Sequence, residues 1–148
     1  MLPRRVWPKV EDMDAAEWAH ELAYSLSVGP GTPSLLTIAT CTGTAASNKV
    51  IETAKRVVGE AGWPVYELVA REVTPDPSLL RPSGFLILRD VRQPLAPAVP
   101  VLIGAHQINI TRSLQVGLLI VGSTAGIKAL RRHPGLGFLS RAEWVVQN

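Results

Sequence analysis

The stretch Gly43-Thr44-Ala45-Ala46-Ser47-Asn48-Lys49-Val50 comes nearer than any other part of the sequence to a spacing that does chemistry. A glycine-rich turn between a strand and a helix can surround phosphate oxygens with backbone N–H groups. A Lys then neutralises the phosphate and a Ser or Thr hydroxyl holds Mg²⁺, in the pattern G-x-x-x-x-G-K-[ST]. Gly43 and Lys49 keep that spacing. Asn48 stands where the second glycine belongs and Val50 where the hydroxyl belongs, and a Val methyl cannot coordinate a hard cation. A side chain at position 48 must obstruct the approach of a phosphate or take a left-handed conformation costing about 1 to 2 kcal/mol, which Asn bears better than most residues.

Other chemistries have less support. Cys41 is the one cysteine, so no internal disulfide forms, and no activating His or Asn accompanies it; it reads as a small residue at the end of a buried strand. With His20, His106 and His133 scattered, no metal-ligand spacing results. Asn109-Ile110-Thr111 matches a glycosylation acceptor, but the N-terminal sequence MLPRRVWPKVEDMD has no apolar signal core. The longest apolar runs, such as 116–121, fall short of the roughly 18 residues that cross a bilayer. The expectation is a soluble, cytoplasmic protein without membrane contact.

The elements that must position these residues follow from the apolar pattern. With 148 residues, 47% of them hydrophobic and 18% charged, the chain has the size of one domain with a real core, and neither disorder nor coiled coil fits. Asp14 with Glu17 three residues on makes a capping-box-like start, and Trp18, Leu22 and Leu26 continue a helix over 14–27. Residues 28–34 end it, and LLTIAT (35–40) reads as a buried strand. CTGTAASN (41–48) reads as a loop. From Lys49, the spacing of Val50, Ala54, Val57, Val58 and Ala61 predicts a helix that Gly62 stops. PVYELVA (64–70), GFLILR (84–89), VGLLIVG (116–122) and AEWVV (142–146) predict four more strands. STAGIKALRRH (123–133) predicts a helix that Pro134 and Gly135 end. Between strands three and four, QPLAPAVP is a Pro-rich turn and VLIGAHQINITRSLQ favours helix. Strands apolar on both faces need helices on both sides.

In this context VGPGTPSLLTIATCTGTAASNKV, a helix and EAGWPVYELVA together resemble the nucleotide-binding core of AAA+ or STAND-type P-loop ATPases. GFLILRDV is similar to their Walker B strand, and VGLLIVGSTAGIKALRRHPGLGFLSRAEWV to their sensor-1 strand, following helix and fifth strand. The resemblance covers about residues 20–146. It implies a three-layer P-loop NTPase-like fold with a central, mostly parallel five-stranded sheet flanked by helices, over 1–148 as one truncated domain with 1–13 as an N-terminal arm. The departures fall on the chemistry. Ala46 and Asn48 replace glycines, and Val50 replaces the Mg²⁺ ligand. In the hhhhDE alignment Arg89 takes the metal-side Asp and Asp90 the catalytic Glu, which puts a cation where Mg²⁺ needs an anion. Ser123 matches the sensor-1 position loosely. Only Gln147 and Asn148 follow the fifth strand, where the family continues into a helical lid. Arg131, Arg132 and Arg141 match no single arginine finger.

The expectation is therefore a catalytically inactive AAA+-like protein with no resident cofactor. It would act by binding a protein partner, an intact AAA+ ATPase or a second copy of itself. The alternative is weak ATP binding or slow hydrolysis through a residual phosphate loop of Gly43, Asn48 and Lys49. A third reading comes from the charge: residues 1–74 hold seven Lys/Arg against nine Asp/Glu, and residues 75–148 hold eight against three. A basic half can meet nucleic acid, but no Lys/Arg-rich run, RNA-binding aromatic signature or zinc-finger spacing accompanies it. Arg89 and Asp90 themselves read most simply as a local ion pair at a strand end. Trp7, among Arg4, Arg5 and Lys9, has the character of a partner anchor, and Trp18, Trp63 and Trp144 that of packing residues.

Overall fold

Asp14 does cap the first helix: its carboxylate accepts from the Glu17 N–H at 2.8 Å, and α1 runs Ala15–Val28. The computed structural model describes residues 14–29, 35–73, 83–111 and 115–147. Residues 1–13, with Trp7, and the GPGTP lead-in from Pro30 lie outside them. After α1 come β1 (Leu36–Cys41), α2 (Thr44–Glu60), β2 (Val65–Val69), β3 (Gly84–Val91), α3 (Ala98–Thr111), β4 (Val116–Gly122), α4 (Thr124–Arg131) and β5 (Glu143–Gln147). Short 3₁₀ segments at Ala70–Glu72 and Pro134–Arg141 were not expected.

The five strands form one sheet in the order β2-β3-β4-β1-β5, and every pairing is parallel. Parallel neighbours require crossovers, and these place helices on both faces. Residues alternate along β1: Leu35, Ala39 and Cys41 belong to the core under α1 and α2, and Ile38 to the core under α3 and α4. Trp18 is fully buried in the first layer, and its indole N–H donates to the Thr37 hydroxyl at 3.0 Å, so the one polar side chain buried there from β1 has a partner. Trp63 is also buried in that core.

The helix expected from Lys49 instead begins at Thr44, so residues 44–48 are helical and only Thr42 and Gly43 form the turn. Ala45 and Ala46 are strong helix formers and no second glycine interrupts them, so propagation outward from the amphipathic part of α2 is favourable. At the other end Gly62 (φ +81°) takes the C′ position: its N–H donates to the Gly59 carbonyl and the Trp63 N–H to the Val58 carbonyl, which closes a Schellman motif. The segment between strands three and four is helical as expected, and α3 also takes in Ala98, Val99 and Pro100 from the Pro-rich stretch.

Two contacts in the second layer make measurable demands. Gly126, in the first turn of α4, lies so close to β3 that a Cβ there would sit 2.2 Å from the Val91 carbonyl oxygen. His106 of α3 is 3% exposed, and its Nε2 lies 3.0 Å from the Gly117 carbonyl oxygen, which can only accept. Nε2 therefore carries the proton, and Nδ1 has no partner among the described residues.

Gly126→Ala is expected to lower stability by about 1 to 3 kcal/mol through overpacking against backbone, read from denaturant unfolding. Burial, only partly offset by the Gly117 bond, holds the His106 imidazole below its ordinary value of 6.5. The unfolded chain therefore takes up this proton at higher pH than the folded chain, and stability falls as pH drops below about 6.5. Thermal unfolding should give a lower midpoint at pH 5.5 than at pH 7.5, and His106→Gln should flatten that difference whatever its own stability.

Candidate functional site

In an open parallel sheet, ligands bind outside the C-terminal ends of the strands, where successive crossovers leave to opposite faces. Here β1 leads into α2 on one face and its neighbour β4 into α4 on the other. The crevice between these exits has a volume of about 200 Å³. Gly43, Thr44 and Ser47 line one side, Gly122 and Ser123 the other, and Arg89, Asp90 and Arg92 come from the end of β3. Ser123 caps α4, accepting from the Gly126 N–H at 3.1 Å.

Of the sequence-predicted residues, Gly43 reaches this crevice and Lys49 does not. Gly43 is extended (φ −168°, ψ 172°), a conformation any residue adopts, and serves as the N-cap of α2 without a side-chain bond. Lys49 is exposed and lines a different cavity, beside Asp14 and Ala19 of α1. Asn48, expected to block a phosphate or to take a left-handed backbone, sits in helical backbone, and its Oδ1 accepts from Arg89 Nη2 at 2.9 Å.

Arg89 pairs neither with a metal-side group nor with Asp90, so the expected local ion pair between those two neighbours does not form. Its Nη1 donates to Glu67 Oε2 at 2.8 Å, and Lys55 Nζ lies 2.5 Å from Glu67 Oε1. A bulge explains the parting. Leu88 pairs with Ile120 and Val91 with Gly122, so two residues of β3 oppose Val121 alone. Asp90 is the extra residue and takes φ +60°, a left-handed conformation that Asp tolerates better than most side chains. Arg89 keeps the α2 face of the sheet, while Asp90 turns into the crevice with only a loose 3.9 Å approach to Arg92.

The bonds from Lys55 first, then from Arg89, hold the Glu67 carboxyl below the usual value of 4.5. Burial pushes the Cys41 thiol up, and a hydrogen bond with Ser47 offsets part of that, so the thiol is a poor nucleophile. No group of three His, Cys, Asp or Glu among the described residues is placed to hold a metal ion. None of the described helices is long and apolar enough to cross a membrane. Arg131 and Arg132 are exposed at the end of α4, where cations complement the macrodipole.

Sequence reasoning missed Glu67 and Arg92. The signal was present in the run Arg89-Asp90-Val91-Arg92, where the alternation of the strand breaks at its C-terminal end. Comparison with the models of known protein families and with curated proteins gives no match, so the geometry and the sequence carry the functional reading.

Arg89→Met is expected to cost about 1 kcal/mol near pH 7, the scale of a partly buried charge-assisted bond after solvent screening. The stabilisation from a depressed carboxyl is present above its unfolded value and is lost as pH falls through the folded one. The difference between Arg89→Met and the parent chain should therefore shrink below about pH 4.5, in urea titrations run from pH 7 to pH 3.

Proposed function

We propose that the chain is a non-hydrolytic protein on an AAA+-like P-loop framework, and that it acts by binding another protein. The observation that carries this reading is the start of α2 at Thr44. The residues that would have to wrap a phosphate chain are the first turns of a helix, and the one lysine of the pattern faces α1 instead. Phosphoryl transfer depends on loop, lysine, metal and water-orienting acid acting together, so the loss of several costs orders of magnitude in rate. The size of the crevice supports the same conclusion: about 200 Å³ is below the roughly 300 to 1,000 Å³ of small-molecule sites, and a nucleoside triphosphate is a large ligand. Arg89, held by Glu67 and Asn48, adds a cation where Mg²⁺ would need an acidic ligand.

Surfaces for a protein partner are available on both faces. Tyr24 and Val28 are more than half exposed on α1, and Val101 and Ile108 on α3. Within each pair the residues lie one or two helical turns apart, so each pair shares a helix face. The partner is an intact AAA+ ATPase or a second copy of this chain; a charge-complementary contact suits the acidic first half and basic second half.

The test is a titration with fluorescent ATP in Mg²⁺. The expected result is no saturable binding at micromolar nucleotide and no difference between the parent chain and Lys49→Ala. Micromolar binding that Lys49→Ala abolishes would falsify the reading and establish the weak ATP-binding alternative.

A further inference from the structure

A second cavity, of about 300 Å³, lies beyond the Asp90 bulge, between the C-terminal ends of β2 and β3 and the beginning of α3. Its walls are apolar, with Ala70, Val91, Leu95 and Val99 among them, and Ala70, Val91 and Val99 are buried. Three charged side chains line it as well: Arg71 from the 3₁₀ turn after β2, Arg92 from just after β3, and Asp90 itself. We propose that this cavity binds a small free carboxylate with a short apolar body, the apolar part seated on Pro94, Leu95 and Ala96 and the carboxylate met by Arg71 and Arg92.

The shape and the charge point to the same ligand class. An apolar pocket of this size with a few convergent charged groups is the usual form of a small-molecule site. A volume of about 300 Å³ lies at the lower end for small-molecule sites, which suits a short-chain acid better than a large ligand. Among the described residues the Arg71 side chain has no hydrogen bond or ion pair, and Arg92 has only the 3.9 Å approach of Asp90. Two guanidinium groups against one carboxylate leave a net positive charge, which favours an anion over an amine. Guanidinium also matches a carboxylate by paired N–H donors. Asp90 opposes the ligand's charge and so limits affinity. The site is independent of the phosphate-loop reading, because neither Gly43 nor Lys49 lines it.

The experiment follows backbone amide NMR shifts of the full chain titrated with sodium butyrate, hexanoate and octanoate, with hexan-1-ol and hexylammonium chloride as uncharged and cationic controls. The expected result is saturable millimolar or tighter binding of hexanoate, with shifts centred on Ala70, Val91 and Val99 and an affinity rising about three- to fourfold per methylene between butyrate and hexanoate. Arg71→Gln and Arg92→Gln, both at exposed positions, should each weaken hexanoate at least fivefold. Asp90→Asn should tighten it two- to fivefold, since Asn keeps the left-handed backbone while removing the opposing charge. The proposal is overturned if hexan-1-ol produces the same shifts at the same concentration, if both arginine variants bind hexanoate like the parent, if the shifts centre on Gly43 and Ser47 instead, or if 20 mM hexanoate gives no saturable change.

Discussion

A parallel pair of strands cannot be closed by a hairpin, and this requirement on β1 and its neighbour β4 organises the molecule. Each strand must be followed by a crossover, and the two crossovers leave to opposite faces of the sheet. The divergence opens a crevice at the C-terminal ends of the strands without any residue having been chosen for chemistry there. What a given chain does with that crevice depends on the turn after β1. Here the turn is two residues long before helix resumes at Thr44, which leaves little backbone free to surround a ligand.

The electrostatics follow from the same geometry. In a parallel sheet the neighbours at the end of β3 are β2 on one side and β4 on the other. Arg89 stays on the α2 face and finds Glu67 on β2 and Asn48 on α2, so its charge serves to tie a helix to two strands. Lys55, seven residues after Asn48 and on the same side of α2, completes the tie. The residue that looks like a disabled metal ligand in a one-dimensional alignment is thus a structural cation in three dimensions. Asn48, which looks like an obstruction to phosphate, is its acceptor.

Most of the fold was legible because it rests on periodicity. The four near-continuous apolar runs gave β1 to β4 within about two residues, Asp14 with Glu17 gave the start of α1, and Gly62 gave the end of α2. The start of α2 was not legible, because residues 44–48 are small and polar and carry no apolar stripe; their helicity comes from propensity and from the helix that follows. The candidate site was legible at Gly43, at the Arg89-Asp90 pair and at Ser123. Glu67 lies twenty-two residues from Arg89, and only strand pairing brings them together. A pairing register cannot be read from either strand alone.

The bulge at Asp90 shows how one added residue can separate two functions of a strand end. Without it, alternation would carry Leu86, Leu88 and Asp90 along the face that packs under α3 and α4. Val91 takes that place instead and is fully buried, its carbonyl oxygen close against Gly126 of α4 and accepting the Ser123 N–H. The left-handed conformation at Asp90 costs about 1 to 2 kcal/mol, while burial of a Val side chain is worth a comparable or larger amount. The same step turns a carboxylate outward between the crevice beside β1 and the cavity beside β2, so that Asp90 and Arg92 line both. The strained residue is therefore compatible with stability because Val91 compensates it, and with Arg92 it forms a charged pair of residues that both cavities share.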